Sequence, residues 1–125
     1  MKIAALISRV LLGLIFVFFG LNGFLNFLPS PPIPGPAGIY LGLLMSSHYV
    51  LAVAAIQVIG GALLLSGQFI PLALVLLGPV LVNIILFHLC FDPAGLLPGL
   101  VSTALWLVIF FHVRSAFAGI FARKV

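Results

Sequence analysis

Four apolar runs, joined by short connections almost free of charge, leave this chain no plausible way to fold in water. The runs cover about residues 3–28, 48–66, 70–91 and 98–113. Hydrophobic residues make up 65% of the chain and charged residues 5%, against roughly a quarter charged in soluble domains. So few charges cannot cover a surface that faces water, and the mean hydropathy of +1.48 agrees. The run lengths sit near the roughly 20 residues that a helix needs to cross a hydrocarbon core about 30 Å thick. The sequence therefore predicts an all-α integral membrane four-helix bundle, a single transmembrane domain over residues 1–125 in contact with the lipid bilayer.

The ionic residues predict the orientation. The basic side chains Lys2, Arg9, Arg114, Arg123 and Lys124 flank the first and last runs, and the single acid, Asp92, lies in the connection before the fourth. Four spans place both termini on one side, and the positive-inside rule makes that side cytoplasmic, in a bacterial inner membrane. On this expectation all five cations are topology anchors, with Arg9 snorkelling toward the inner headgroups. His112 beside Arg114 is read as part of the same anchor. The first run is longer than a signal-peptide core and lacks an A-x-A-like cleavage site, so it reads as an uncleaved span. No aromatic-interleaved basic patch points to nucleic acid.

The stretch "GLNGFLNFLPSPPIPGP", Gly20–Pro36, ends the first run with two asparagines and then Pro29, Pro31, Pro32, Pro34 and Pro36. Prolines stop a helix and stiffen the exit from it. The following "AGIYLGLLMSS", Ala37–Ser47, is apolar but too short to span. It predicts a short interfacial or re-entrant segment after the first helix. Pro71 and Pro98 fall in tolerated first-turn positions. Pro79, after Gly78, removes a backbone bond inside the third span and predicts a kink.

Polar side chains in lipid are costly unless they face other helices or a wet cavity. Asn22, Asn26, Gln57, Asn83, His88 and Asp92, with His48, all fall at mid-membrane or outer depth, whereas the inner half has almost none. Two uses stay open for this set. The amides can be interhelical glue, or Asn22, Asn26, Gln57, Asn83 and His88 can line a ligand site in the outer half of the bundle. His88 and Asp92, four residues apart, could pair. Gly13, Gly20 and Gly23 in the first span, with Gly60, Gly61 and Ala62 in the second, predict close helix packing. Trp106 and the phenylalanines default to lipid-facing or core positions. The single cysteine, Cys90, excludes an intramolecular disulfide or a CxxC pair.

The segments "RVLLGLIFVFFGLNGFLNF" (Arg9–Phe27) and "QVIGGALLLSGQFIPLALVLLGPVLVNIILFHL" (Gln57–Leu89) resemble the DoxX family of small four-span bacterial membrane proteins. The likeness covers about residues 5–113, with Arg9, Gly13, Gly20, Gln57, Gly61, Gly67 and Pro71 at the family's recurrent positions. It implies a four-helix membrane bundle associated with redox systems, since DoxD-like relatives form a subunit of a thiosulfate:quinone oxidoreductase. Gln57 stands where relatives often carry a carboxylate, and Gly23 where they often carry a basic residue. Both departures favour an accessory role over proton-coupled chemistry.

The expected function is a non-catalytic accessory or scaffold subunit of a quinone-linked redox membrane complex, working with other membrane subunits or as a homo-oligomer. The alternative is a protein that binds a quinone or lipid in the outer half. No catalytic residue, metal ligand or resident cofactor is read from the sequence, and a quinone is the one ligand class it suggests.

Overall fold

The computed structural model describes residues 1–29 and 32–124. Five α-helices account for the architecture: α1 (Lys2–Leu25), α2 (Gly35–Ser46), α3 (Tyr49–Ser66), α4 (Ile70–Cys90) and α5 (Leu96–His112). A 3₁₀ turn over Pro93–Gly95 leads into α5, and a second over Arg114–Phe117 follows it. Four segments are long and apolar enough to cross a membrane, of 24, 18, 21 and 20 residues, the last counted from Pro93. The protein is thus an all-α, multi-pass bundle of membrane type. α2, at 12 residues, is too short to cross.

α1 packs on α3, α3 on α4, α4 on α5, and α5 back on α1, so the four long helices close into a ring. Consecutive long helices run antiparallel, and both termini lie at one end of the bundle. The α1–α3 contact is the most extensive because small residues line it. A Cβ on Gly61 would lie 2.8 Å from the Gly13 carbonyl oxygen and 2.9 Å from the Val17 nitrogen. One on Gly20 would lie 3.0 Å from the Ala54 carbonyl oxygen. Only hydrogen at these positions lets the two backbones touch, as the glycine spacing predicted.

The core is unevenly distributed. Leu12, Phe16, Leu64, Ala73, Leu74, Leu77, Leu81 and Ile109 form one buried cluster. In chain order these fall in the middle of α1, the end of α3, the first part of α4 to just past its midpoint, and the end of α5. Most are nearer the end that carries the termini, with Phe16 and Leu81 just past mid-helix. The far end is buried mainly through small residues, Gly20, Ala54, Gly99 and Ser102. Large apolar side chains such as Ile3, Leu25, Leu43 and Leu97 are exposed, the inverse of a soluble domain and the arrangement that lipid solvates.

Two boundaries differ from the sequence expectation by two residues or more. α1 stops at Leu25 rather than near residue 28, and the asparagines rather than the prolines stop it. Asn26 takes a left-handed conformation (φ 50°, ψ 46°), which Asn tolerates better than most residues. The Asn22 side chain meanwhile accepts the Leu28 N–H at 2.9 Å. Pro31 lies outside the described residues, so the proline run is seen only through its other members. α5 begins two residues earlier than expected, at Leu96, because the 3₁₀ turn at Pro93–Gly95 feeds directly into it. Pro79 sits inside a helix that continues to Cys90, and Pro71 occupies its first turn, as expected.

Candidate functional site

At the far end, where the core is thin, the chain borders a half-open cavity of about 600 Å³. Its walls are the end of α1 (Asn22, Gly23, Asn26), the connection through Pro29, Pro32 and Ile33, one face of α2 (Gly38, Leu41, Gly42, Leu44, Met45) and Val50 of α3. The geometry follows from local sequence. The left-handed Asn26 turns the chain sharply off α1, and Pro36 in the first turn of α2 restarts helix once the chain has reversed. A Cβ on Gly38 would collide with the carbonyl oxygen of Ile33, so glycine there lets α2 fold tightly against its own lead-in.

The two asparagines supply the polar side chains of this wall. Leu28 N–H needs an acceptor, so the Asn22 atom it meets is Oδ1. That leaves the Asn22 Nδ2 group with donors to spare. Asn26 is exposed and, among the described residues, its side chain forms no hydrogen bond. The wall therefore offers amide donors and acceptors and no charge. Such a lining suits a neutral molecule with hydrogen-bonding oxygens on an apolar body, and the volume falls in the usual range for small-ligand pockets.

The other candidates lie elsewhere. Gln57 is half-buried in α3 between the buried Ala54 and Gly60 and does not border the cavity. Asn83 is exposed on α4, its Nδ2 3.4 Å from the Tyr40 hydroxyl of α2. His88 is half-buried, with Nδ1 2.8 Å from the Ile84 carbonyl of its own helix. A carbonyl only accepts, so Nδ1 carries the proton in that bond. The hydrogen bond expected as a possible link to Asp92 is thus directed to the backbone. His88 and Asp92 both border Gly95, where a Cβ would lie 2.9 Å from His88 Nε2 and 3.4 Å from Asp92 Oδ2. The structure brings Asn22 and Asn26 together and leaves Gln57, Asn83 and His88 outside their cavity.

The cations divide in the same way. Lys2, Arg123 and Lys124 are exposed near the termini. Arg114 Nη1 donates to the Phe111 carbonyl at 2.7 Å. Arg9 is half-buried, and its Nη1 donates to the Leu64 carbonyl at 2.5 Å and lies 3.4 Å from that of Leu65. The last carbonyls of α3 carry partial negative charge, and the guanidinium meets the Leu64 carbonyl beside the Gly67 N–H, which approaches it at 3.3 Å.

Two structural residues escaped the sequence reading. Tyr40 stacks on Phe91 and lies 5.6 Å, ring centre to ring centre, from both Phe87 and Phe91, tying α2 to the far end of α4. Trp106 donates its indole N–H to the Leu74 carbonyl at 3.1 Å and stacks on Phe110 with centroids 5.4 Å apart. Gly78 beneath the indole was the available signal, since a Cβ there would meet Trp106 at 3.5 Å. Among the described residues, no group of three His, Cys, Asp or Glu side chains could hold a metal ion. No family model, curated protein or solved structure matches the chain.

Proposed function

We propose that this chain is a DoxX-like, non-catalytic membrane protein that holds a neutral amphiphile, a quinone or the head region of a lipid, in the cavity at Asn22 and Asn26. In this reading it serves as an accessory subunit of a quinone-linked redox complex. The supporting observation is the cavity: about 600 Å³, apolar except for two asparagine amides, and bounded by a short helix that does not cross the membrane. A quinone's carbonyl oxygens accept hydrogen bonds from amide N–H groups, and its ring and tail suit walls of Ile33, Leu41, Leu44 and Met45. The five cations around the terminal end support an orientation with both termini in the cytoplasm of a bacterial cell and the cavity at the outer side of its inner membrane.

Native mass spectrometry of the protein, purified gently from its own membranes, tests both parts. The expected result is a retained quinone or lipid mass, lost in Asn26→Leu and kept in Gln57→Leu and Asn83→Leu, with redox subunits co-purifying at fixed stoichiometry. Equal retention in all three variants would remove the cavity from the function. A chain that purifies only alone or with copies of itself would remove the subunit role.

A further inference from the structure

At the opposite end of the molecule, α4 and α5 leave a second concavity that the cavity reading does not use. A groove of about 420 Å³ runs between them, walled by Leu74, Val75, Pro79, Trp106, Phe110 and Phe117, with Arg114 lining it as well. Beyond Trp106 and Gly78 it continues into a second apolar hollow of about 330 Å³ that reaches Ile85 and Thr103. From Thr103 to His112 the seam follows roughly 14 Å of α5 at 1.5 Å per residue, and Arg114 lies just beyond the helix end. Its one charged lining residue sits at the terminal end, where the chain leaves α5.

We propose that this seam is a binding site for one anionic phospholipid, with an acyl chain along α4 and α5 and the phosphate on Arg114. Three features favour this occupant. The first is charge: Lys2, Arg9, Arg114, Arg123 and Lys124 all belong to this end, whereas the single acid, Asp92, is at the other. The second is that the groove is apolar along its length and cationic only at its mouth, which is the distribution of a phospholipid. Basic pockets at the ends of transmembrane helices are recurrent sites for anionic headgroups. The third is the segment after α5. Phe117 turns back onto Phe110, centroids 5.1 Å apart, while Ile120 and Phe121 extend the groove wall and remain 63% and 94% exposed. That apolar surface is followed by Arg123 and Lys124, a composition suited to the level where headgroups meet chains. Arg114 spends one donor on Phe111, and a guanidinium has others for a phosphate.

The chain has one tryptophan, and it lies in the seam, so its fluorescence reports on the occupant directly. The full-length protein is reconstituted in phosphatidylcholine vesicles containing increasing fractions of acyl-brominated phosphatidylglycerol or acyl-brominated phosphatidylcholine. The expected result is half-maximal quenching of Trp106 at about fivefold lower fraction of the brominated anionic lipid, the advantage one basic residue gives near an anionic leaflet. That preference should vanish in Arg114→Gln and persist in the Arg123→Gln, Lys124→Gln double variant. Equal quenching by the two lipids with the wild-type protein overturns the proposal, whether or not the variants fold. A preference that Arg114→Gln keeps and the double variant loses also overturns it, since the attraction is then diffuse.

Discussion

Arg9 Nη1 donates to the Leu64 carbonyl, joining the second turn of α1 to the last turn of α3 across 55 residues of sequence. Gly67 makes room for it. With φ at 75° it terminates α3, and a Cβ there would lie 2.8 Å from Arg9 Nη1. The guanidinium thus joins the Gly67 N–H in capping the carbonyls that end α3. Replacing Arg9 by Met should cost about 1.5–3 kcal/mol, the range for a hydrogen bond to a charged group. Gly67→Ala should also destabilise, and the double variant should cost less than the two losses added, because both act on one cap. Unfolding equilibria in mild detergent measure all three.

The α1–α3 seam should be intolerant of a single methyl group. Gly61→Ala places carbon within 3 Å of backbone atoms of Gly13 and Val17, which cannot move aside as a side chain can. The expected loss is about 1–3 kcal/mol, as for overpacking a tight interface. Gly42→Ala meets nothing within 4 Å and lies inside α2, so it should be neutral or stabilising by up to about 1 kcal/mol. Thermal melts of the two variants side by side check the contrast. Equal effects would mean that α1 and α3 do not approach this closely.

Trp106→Phe keeps most of the stacking surface and removes the indole N–H that bonds Leu74. Interhelical hydrogen bonds in membrane proteins contribute about 0.6–2 kcal/mol, so a loss in that range is expected. A variant as stable as the wild type would show that the bond to Leu74 adds nothing beyond packing.

Asn26→Gly should fold as well as the wild type, because glycine takes the left-handed conformation that ends α1 without strain. Asn26→Val should be destabilised by about 1–2 kcal/mol, since a β-branched residue is disfavoured there. The pair also separates two roles of the residue. The glycine variant keeps the turn and removes the amide, so on the proposed function it should lose the quinone or lipid while keeping its melting temperature.

Much of the architecture was legible in the sequence because bilayer physics narrows the choices. Apolar runs of spanning length with at most one charge inside must become helices that satisfy their own backbones, and the four helices fall where the runs do. The close α1–α3 packing was also legible, since Gly13, Gly20 and Gly61 recur at helical spacing and have no other evident use. The site was less so. Asn22, Asn26, Gln57, Asn83 and His88 share a depth, and depth alone cannot say which direction each faces around its helix axis. Residue type and spacing therefore grouped five side chains, of which the fold brings only Asn22 and Asn26 to one cavity.

What the sequence by itself determined is the membrane class of the fold, its number of spans and the clustering of positive charge at the terminal regions. These depend on local composition and on run length measured against bilayer thickness, and neither needs a partner residue to be read. What only the tertiary structure decided is pairing: Arg9 with the end of α3, Trp106 with Leu74, Tyr40 with Asn83, and the two asparagines with the face of α2. Each joins residues far apart in the chain, so each depends on how the helices rotate and settle against one another. That rotation is set by packing of side chains from several helices at once, and no single segment carries it.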